Sequence, residues 1–215
     1  MKVLITAGGT FEPIDDVRGI TNRSTGQLGA ALANAFIQRG ARVHLLASEA
    51  LASRSEWLDA SVRVTPFLSY SDLDEALHAA CAESPDIVLM AAAVADYSPV
   101  PFPGKRSSQA AEQTLTLHRN PKLLASLARR CDETTRIIGF KLLSGVSQTV
   151  LIDTARKQIE NHGLSSCVAN DMQAFVDGQH PVTLVDASGV SMKIEGTKRE
   201  TAEQLVDALL RPATS

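Results

Sequence analysis

Short apolar segments alternate with longer amphipathic segments along most of the chain. The apolar segments predict strands at residues 2–6, 42–47, 61–66, 86–91, 115–118, 136–141 and 165–169. A 3.6-residue apolar period predicts helices at residues 26–39, 71–83, 121–130 and 147–161. The strand at 86–91 is apolar on both faces, as is typical of parallel sheets covered by helices. With right-handed crossovers, the alternation predicts an α/β, Rossmann-like three-layer fold with a mainly parallel central sheet.

Two segments depart from this alternation. Residues 97–111 contain Pro99, Pro101 and Pro103, which exclude a helix and disfavour a strand, so we expect a long flap there. Towards the end, residues 182–185 and 190–194 flank a glycine-containing turn and predict a C-terminal β-hairpin. An amphipathic helix at 201–210 follows it. No linker interrupts the chain, so residues 1–215 are predicted to form one domain.

The composition narrows the classes of function. The chain has 215 residues, is 44% hydrophobic, and carries a formal net charge of −3, which disfavours a dedicated nucleic-acid binder. The apolar start ends at Gly8, too soon for a secretory signal, and the later apolar run at 87–94 is too short to cross a bilayer. The odd, widely spaced cysteines fit a reducing compartment. We expect a cytoplasmic protein that does not insert into membranes.

Four local features suit a ligand, and each also has a simpler explanation. Gly8 and Gly9 let a ligand approach the backbone after the first strand, although a tight turn explains them equally well. Residues 18–26 place arginines, an amide and hydroxyls before a helix start, which favours an anion; capping by Ser24 or Thr25 is the alternative.

The other two features follow the strand at 86–91. Small residues at 90–95 form a floor at the carboxyl end of a parallel strand, where ligands bind in open α/β sheets, although tight helix–sheet packing also requires them. Asp96 is placed to accept a hydrogen bond or to help hold Mg²⁺. Lys105 lies on the flap, where its charge could neutralise phosphate, although most exposed lysines have no such role.

Taken in order, these segments resemble the phosphopantothenate–cysteine ligase family, most closely its stand-alone bacterial members. The resemblance rests on ITAGGT at 5–10, PIDDVR at 13–18, ITNRSTG at 20–26, AAVADY at 92–97, Lys105 with Ser107 and Ser108, NPK at 120–122, IGFKLL at 138–143 and AND at 169–171. Many bacteria fuse this ligase to a flavin-dependent decarboxylase, and the resemblance covers only the ligase half.

The resemblance implies a two-step reaction of coenzyme A biosynthesis. The carboxylate of 4′-phosphopantothenate attacks the α-phosphate of a nucleoside triphosphate and releases pyrophosphate. The amine of L-cysteine then attacks the acyl-nucleotide and releases the nucleoside monophosphate. Mg²⁺ and CTP, or alternatively ATP, are implied, as are a homodimer whose partner helps to form the site and a possible separate decarboxylase.

The resemblance also implies roles for individual residues. It makes Asn22 and Lys105 catalytic, and Asn22, Arg23 and Ala93 substrate-binding. It assigns the nucleotide to Gly8, Gly9, Ser24, Thr25, Gly26, Met90, Ala91, Ala92, Asp96, Asn120, Pro121, Lys122, Leu123, Leu124, Phe140, Gln158 and His162. Asp96 is also the candidate metal ligand.

The sequence departs from the family pattern on the helix at 147–161. CTP-using bacterial members carry two lysines there, where this chain has Gln158 and His162. Lys141 is an alternative source of positive charge, so the choice between CTP and ATP stays open. Two other functions also remain open: an NAD(P)-dependent oxidoreductase, although no Tyr-x-x-x-Lys pair is present, and a non-catalytic binding relative.

Overall fold

The computed structural model of the chain describes residues 1–211, so the end of the predicted domain, residues 212–215, lies outside the described range. The strands are β1 (Lys2–Ala7), β2 (Phe11–Pro13), β3 (Gly19–Thr21), β4 (Arg42–Ser48), β5 (Arg63–Phe67), β6 (Ile87–Met90), β7 (Tyr97–Pro99), β8 (Leu117–Arg119), β9 (Arg136–Leu143), β10 (Ser166–Asp171), β11 (Val182–Asp186) and β12 (Ser191–Ile194). The α-helices are α1 (Gln27–Gln38), α2 (Glu49–Ala52), α3 (Tyr70–Cys81), α4 (Leu123–Arg130), α5 (Gln148–His162) and α6 (Lys198–Leu210).

The strand order places a ligand site at one point of the sheet. The eight-stranded sheet runs β12-β11-β10-β9-β6-β1-β4-β5, and its pairs from β10 to β5 are parallel. β11 and β12 join antiparallel, as the predicted hairpin requires. The chain winds outwards from β1 in one direction and then from β6 in the other. The crevice between the carboxyl ends of β1 and β6 is therefore the topological switch point, where doubly wound sheets bind ligands.

Helices cover both faces of the sheet and confirm the three-layer prediction. α1 and α6 pack on one face through a core that includes Phe36 and Leu205, and α3, α4 and α5 cover the other face. α6 also binds α1 by polar contacts: Arg39 Nε donates to Asp207 Oδ1 at 2.6 Å, and Lys198 Nζ donates to Gln27 Oε1 at 2.8 Å. The last helix therefore fixes the helix that follows the predicted anion-binding loop.

The structure differs from the sequence-based elements in two short hairpins. β2 pairs with β3 inside the segment that the sequence indicates is a polar loop, and β7 pairs with β8 at the base of the flap. β8 overlaps the predicted strand at 115–118, whereas β2, β3 and β7 have three residues each and are too short for a periodic pattern to reveal. The predicted capping is also wrong: the N-cap of α1 is Gly26, with a φ of 73°, and it makes no side-chain capping bond.

His180, before β11, gives the fold a pH-dependent stability. Its ring is buried and stacks on Phe175 with centroids 4.0 Å apart; burial, aided by the charge of Lys198, lowers the pKa of His180 to about 4. The unfolded chain binds this proton near pH 6.5, so the contribution is complete above pH 6.5 and is lost as the pH falls towards 4. That change is worth about 3 kcal/mol.

We therefore expect His180→Gln to flatten the decrease in unfolding free energy between pH 6.5 and pH 4. Urea unfolding of both proteins at several pH values measures it. The carboxylates titrate in both proteins, so the difference between the two curves isolates the histidine. Curves that stay parallel across this range would contradict the assignment.

Candidate functional site

The turns after β1 and β6 bind each other at the switch point. Ala93 N donates to Gly8 O at 2.8 Å, and Thr10 N donates to Ala93 O at 3.2 Å. Buried Thr6 and Thr10 hydroxyls accept from the backbone of the same turn, Thr10 Oγ1 from Ala95 N at 3.0 Å. The glycine turn and the small-residue floor therefore form one surface, although they are far apart along the chain. Thr6 and Met90, which contact each other below this surface, are separated by 84 positions.

Asn22 joins this surface from the end of β3. Its Nδ2 donates to Ala93 O at 3.0 Å, and its backbone oxygen accepts from Ser24 N at 2.8 Å. A side-chain amide nitrogen carries two N–H donors, and the contact with Ala93 uses one of them. Asn22 is exposed, so its second donor is available to a ligand above the floor.

Gly9 is required because the Asn22 backbone passes directly over it. A β-carbon at position 9 would lie 2.6 Å from Asn22 O, which is closer than any ordinary contact. We expect Gly9→Ala to displace Asn22 and lower turnover by about 10²-fold, the scale on which small misplacements act. Steady-state assays of the ligase reaction that the resemblance implies measure this, and a thermal unfolding midpoint controls for loss of fold. Unchanged turnover would contradict the tight packing of Asn22 on the turn.

The loop from Asn22 to Gly26 borders a cleft of about 600 Å³. The cleft lies over the carboxyl ends of β1, β4 and β5, and its lining consists of Gly9, Phe11, Thr21, Asn22, Arg23, Ser24, Thr25, Ser48, Glu49, Ala50, Phe67 and Leu68. Gly26 has no side-chain oxygen, and Gln27 N makes only a long 3.4 Å contact to Thr25 Oγ1. The start of α1 therefore offers amides and a positive dipole end beside the cleft.

The anion-binding interpretation of residues 18–26 implied that Arg18 faces this helix start, but the structure shows that it does not. Its guanidinium binds the buried carboxylate of Asp15, with Nη2 2.6 Å from Oδ2. Arg23 is exposed and lines the cleft, so it remains the cation of this loop.

A second group of predicted residues lies behind the floor. Asn120 N donates to Asp96 O at 2.8 Å, and Asn120 Nδ2 donates to Ala95 O at 2.9 Å and to Ser98 Oγ at 2.7 Å. Lys122 forms an ion pair with Asp96. These contacts fix the segment at 120–122 against the loop that follows β6.

Buried Glu12 anchors this group, and the sequence offered no reason to single it out. Glu12 Oε2 accepts from Ser98 Oγ at 2.7 Å, and Oε1 accepts from Tyr70 N at 3.0 Å at the start of α3. The contacts link β2, α3, the base of the flap and Asn120. No signal in the sequence distinguishes Glu12 from the other acids of this polar segment, because acidic residues in polar loops are mostly exposed.

The remaining residues that were predicted to bind the nucleotide lie away from the cleft or are buried in the core. Leu123 is buried in the core, with Leu124 partly buried beside it, and Phe140 packs towards the α1 face of the sheet. Gln158 Oε1 accepts from the Cys167 thiol at 3.1 Å; burial raises the pKa of that thiol to about 12, so it stays protonated and able to donate. His162 ends α5 before β10 begins. The contact roles of these residues stay predictions.

The protein side chains around Asp96 could hold a magnesium ion only if the nucleotide and water supplied most of the metal ligands. Within residues 1–211 no three His, Cys, Asp or Glu side chains cluster closely enough to hold a metal. Asp96 supplies one exposed carboxylate, already paired with Lys122. Mg²⁺ commonly takes one or two carboxylates together with substrate phosphates and water, so Asp96 could supply the protein ligand.

The flap at 97–111 is docked on the loop between β2 and β3. Phe102 N donates to Ile14 O at 2.9 Å, and Asp15 Oδ2 accepts from Arg106 N at 3.0 Å. Lys105 lies between docked residues with its side chain exposed. The PIDDVR segment thus supports the flap rather than the cleft.

None of the helices in the described part of the chain combines the length and apolar character that crossing a bilayer requires.

Comparison with known proteins places these features in a family. Residues 1–212 match the family described as the DNA/pantothenate metabolism flavoprotein C-terminal domain. The chain is 35% identical, over 208 residues, to the coenzyme A biosynthesis bifunctional protein CoaBC of Methanocaldococcus jannaschii, covering 96% of this chain and 49% of that protein. The chain therefore spans about half the length of the curated relatives it matches.

Solved structures of similar proteins share the fold of this chain. The DNA/pantothenate metabolism flavoprotein of Streptococcus pneumoniae superimposes with a TM-score of 0.85 at 27% identity, covering 97% of this chain and 98% of that one. The C-terminal domain of CoaBC does so with a TM-score of 0.77 at 28% identity, covering 97% and 93%. A Cab2 variant in complex with phosphopantothenate-cysteine shares the fold, with a TM-score of 0.80 at 19% identity over 97% and 85%. The match over nearly its whole length shows that the chain belongs to the family of the DNA/pantothenate metabolism flavoprotein C-terminal domain.

Proposed function

We propose that the chain is a phosphopantothenate–cysteine ligase of coenzyme A biosynthesis. One observation carries the proposal: the glycine turn, Asn22 and the floor at Ala93 meet at the switch point, beside a cleft bordered by the start of α1. The named relatives support it, since they are proteins of coenzyme A biosynthesis. We further propose that residues 1–215 form one ligase domain.

In the first step, a carboxylate oxygen of 4′-phosphopantothenate forms a bond to the α-phosphorus of the nucleotide. The bond between that phosphorus and the bridging oxygen breaks, and pyrophosphate leaves with the electron pair. The protein must bring two anions together, so it needs fixed positive charge and oriented dipoles. Arg23, the amides at the start of α1 and Lys105 of the flap are suited to this role.

In the second step, the amine of L-cysteine attacks the acyl carbonyl carbon. A C–N bond forms, the C–O bond to the nucleotide breaks, the nucleoside monophosphate leaves, and the amine loses a proton to solvent. Negative charge grows on the carbonyl oxygen during the attack. The N–H of Asn22 Nδ2 that does not meet Ala93 O is suited to donate to that oxygen.

Several finer features belong to the same proposal. The intermediate is an acyl-nucleotide, an acyl-cytidylate if CTP is the substrate, and Mg²⁺ accompanies the triphosphate. The protein acts in the cytoplasm as a homodimer whose partner completes the site beneath the flap. A separate phosphopantothenoylcysteine decarboxylase works on its product.

The direct test is pyrophosphate release from purified protein with 4′-phosphopantothenate, L-cysteine and Mg²⁺, comparing CTP with ATP. We expect release that requires phosphopantothenate, with one nucleotide preferred. Release without phosphopantothenate would indicate simple nucleotide hydrolysis. Folded protein that releases none with either nucleotide would overturn the catalytic proposal in favour of a binding-only relative.

A further inference from the structure

The β2–β3 loop contacts alternate residues of the flap backbone around Lys105. On one side, Asp16 exchanges two hydrogen bonds with Gly104: Asp16 N donates to Gly104 O at 3.2 Å, and Asp16 Oδ2 accepts from Gly104 N at 3.1 Å. On the other side, both backbone groups of Arg106 are bound. Lys105 is therefore flanked by two residues whose backbone positions the loop fixes.

Asp15 is the centre of the contact with Arg106. Its Oδ2 accepts from Arg106 N at 3.0 Å and from Arg18 Nη2 at 2.6 Å, while Arg18 Nη2 also donates to Arg106 O at 2.8 Å. Its Oδ1 accepts from Val17 N at 2.9 Å and from Arg18 N at 2.8 Å. One carboxylate thus ties its own loop to a residue 91 positions away.

The charge of Asp15 is built into this arrangement. Its side chain is fully buried, and a buried carboxylate is tolerated only when it is paired and hydrogen-bonded. The Arg18 guanidinium, aided by the backbone amides, holds the pKa of the Asp15 carboxyl well below its usual range. The carboxylate therefore stays ionised, and it accepts stronger hydrogen bonds than a neutral group would.

Lys105 itself is exposed, and a lysine side chain has a flexible stem of four carbons. Such a side chain holds its ammonium group at a defined position only if its backbone is fixed. A displaced ammonium group would stabilise the transition state less, because catalysis depends on precise orientation. Fixing Gly104 and Arg106 restricts the Cα of Lys105 while leaving the ammonium free to approach phosphate.

We propose that Asp15 is a positioning residue that clasps the flap backbone and thereby presents Lys105 to the triphosphate of the bound nucleotide. The second half of this statement rests on the proposed ligase function, whereas the clasp itself does not.

The first test measures the clasp without using activity. Hydrogen exchange of the unaltered protein should be at least about tenfold slower at the Arg106 amide than at the amide of Ser108, further along the flap. Asp15→Asn should abolish that difference and speed trypsin cleavage after Lys105 or Arg106 by at least about tenfold. The asparagine would place an N–H group, or a weaker neutral acceptor, where Oδ2 now accepts from Arg106 N and from both Nε and Nη2 of Arg18. An Arg106 amide that exchanges as fast as Ser108 would overturn the clasp, even if the variant does not fold.

The second test is a double-mutant cycle in the ligase assay. We expect Asp15→Asn to lower kcat at least about tenfold alone, and less than about twofold in the Lys105→Gln background. Equal losses in both backgrounds would show that Asp15 does not act through Lys105 and would overturn the positioning role. Asp59→Asn is the matched control, since Asp59 also accepts a loop amide, from Ser61 N at 2.8 Å, and should change neither measurement.

If the unaltered protein shows no ligase activity, the exchange and cleavage measurements still decide whether Asp15 holds the flap. In that case the role in presenting Lys105 fails together with the proposed function, and the clasp is judged by itself.

Discussion

We expect Lys105→Gln to slow pyrophosphate release in the proposed ligase reaction by about 10²-fold or more at saturating substrates, the scale on which a lost transition-state donor acts. Glutamine keeps much of the length of the side chain but carries no charge to offset the negative charge that develops as pyrophosphate leaves. The flap contacts at Gly104 and Arg106 involve backbone groups, so they survive the change. Single-turnover and steady-state assays of pyrophosphate release measure the effect.

The control for this variant is Lys193→Gln. Lys193 is an exposed lysine on β12, at the opposite edge of the sheet from β5, and its partner is Glu195. Both variants lose one positive charge, so a general electrostatic effect would slow them equally. A Lys105→Gln enzyme with unchanged turnover would remove this residue from the site and leave the flap with only a structural role.

Asn22→Asp damages the second step of the proposed reaction more than the first. A carboxylate cannot donate to Ala93 O, which Asn22 Nδ2 now meets at 3.0 Å, and its charge would repel the oxyanion that grows at the acyl carbonyl. We expect the second step to slow by about 10²- to 10³-fold. The acyl-nucleotide should then accumulate in rapid-quench experiments, because it forms faster than cysteine consumes it.

Asn161→Asp serves as the control, since it makes the same change on the exposed surface of α5. Equal slowing of both half-reactions in the Asn22 variant would contradict a specific role at the carbonyl. That outcome would indicate instead that the aspartate disrupts the turn through Gly9, whose α-carbon lies beneath the Asn22 backbone.

Periodic patterns predicted the sheet and helices that build the site. β1, β6 and α1 agree with the predicted segments to within a few residues, since β1 and β6 are short continuous apolar runs and the apolar residues of α1 repeat with the period of a helix. The alternation predicted a mainly parallel sheet but no strand order; the structure shows that β1 pairs with β6, which places Gly9 beside Ala93.

The parts that sequence reasoning missed depend on contacts between distant residues. Glu12 and Asp15 look like ordinary acids in a polar loop, and only the packing of Ser98 and Arg106 against them reveals why they are buried. The capping of α1 was mistaken for a related reason. Ser24 and Thr25 have the right chemistry for a cap, but the turn requires a positive φ at Gly26, which then occupies the cap position.

Because α6 packs on α1, the surface of α1 stays uncovered during synthesis until α6 has been made. Arg39 and Asp207, which join these helices, are 168 residues apart. At roughly 5–20 residues per second, a ribosome makes α6 on the order of ten to thirty seconds after α1. Throughout that interval the nascent chain exposes the apolar surface of α1 that α6 later covers, beside a loop that already carries Asn22. The newly made chain therefore presents chaperones with a binding surface that the finished protein no longer has.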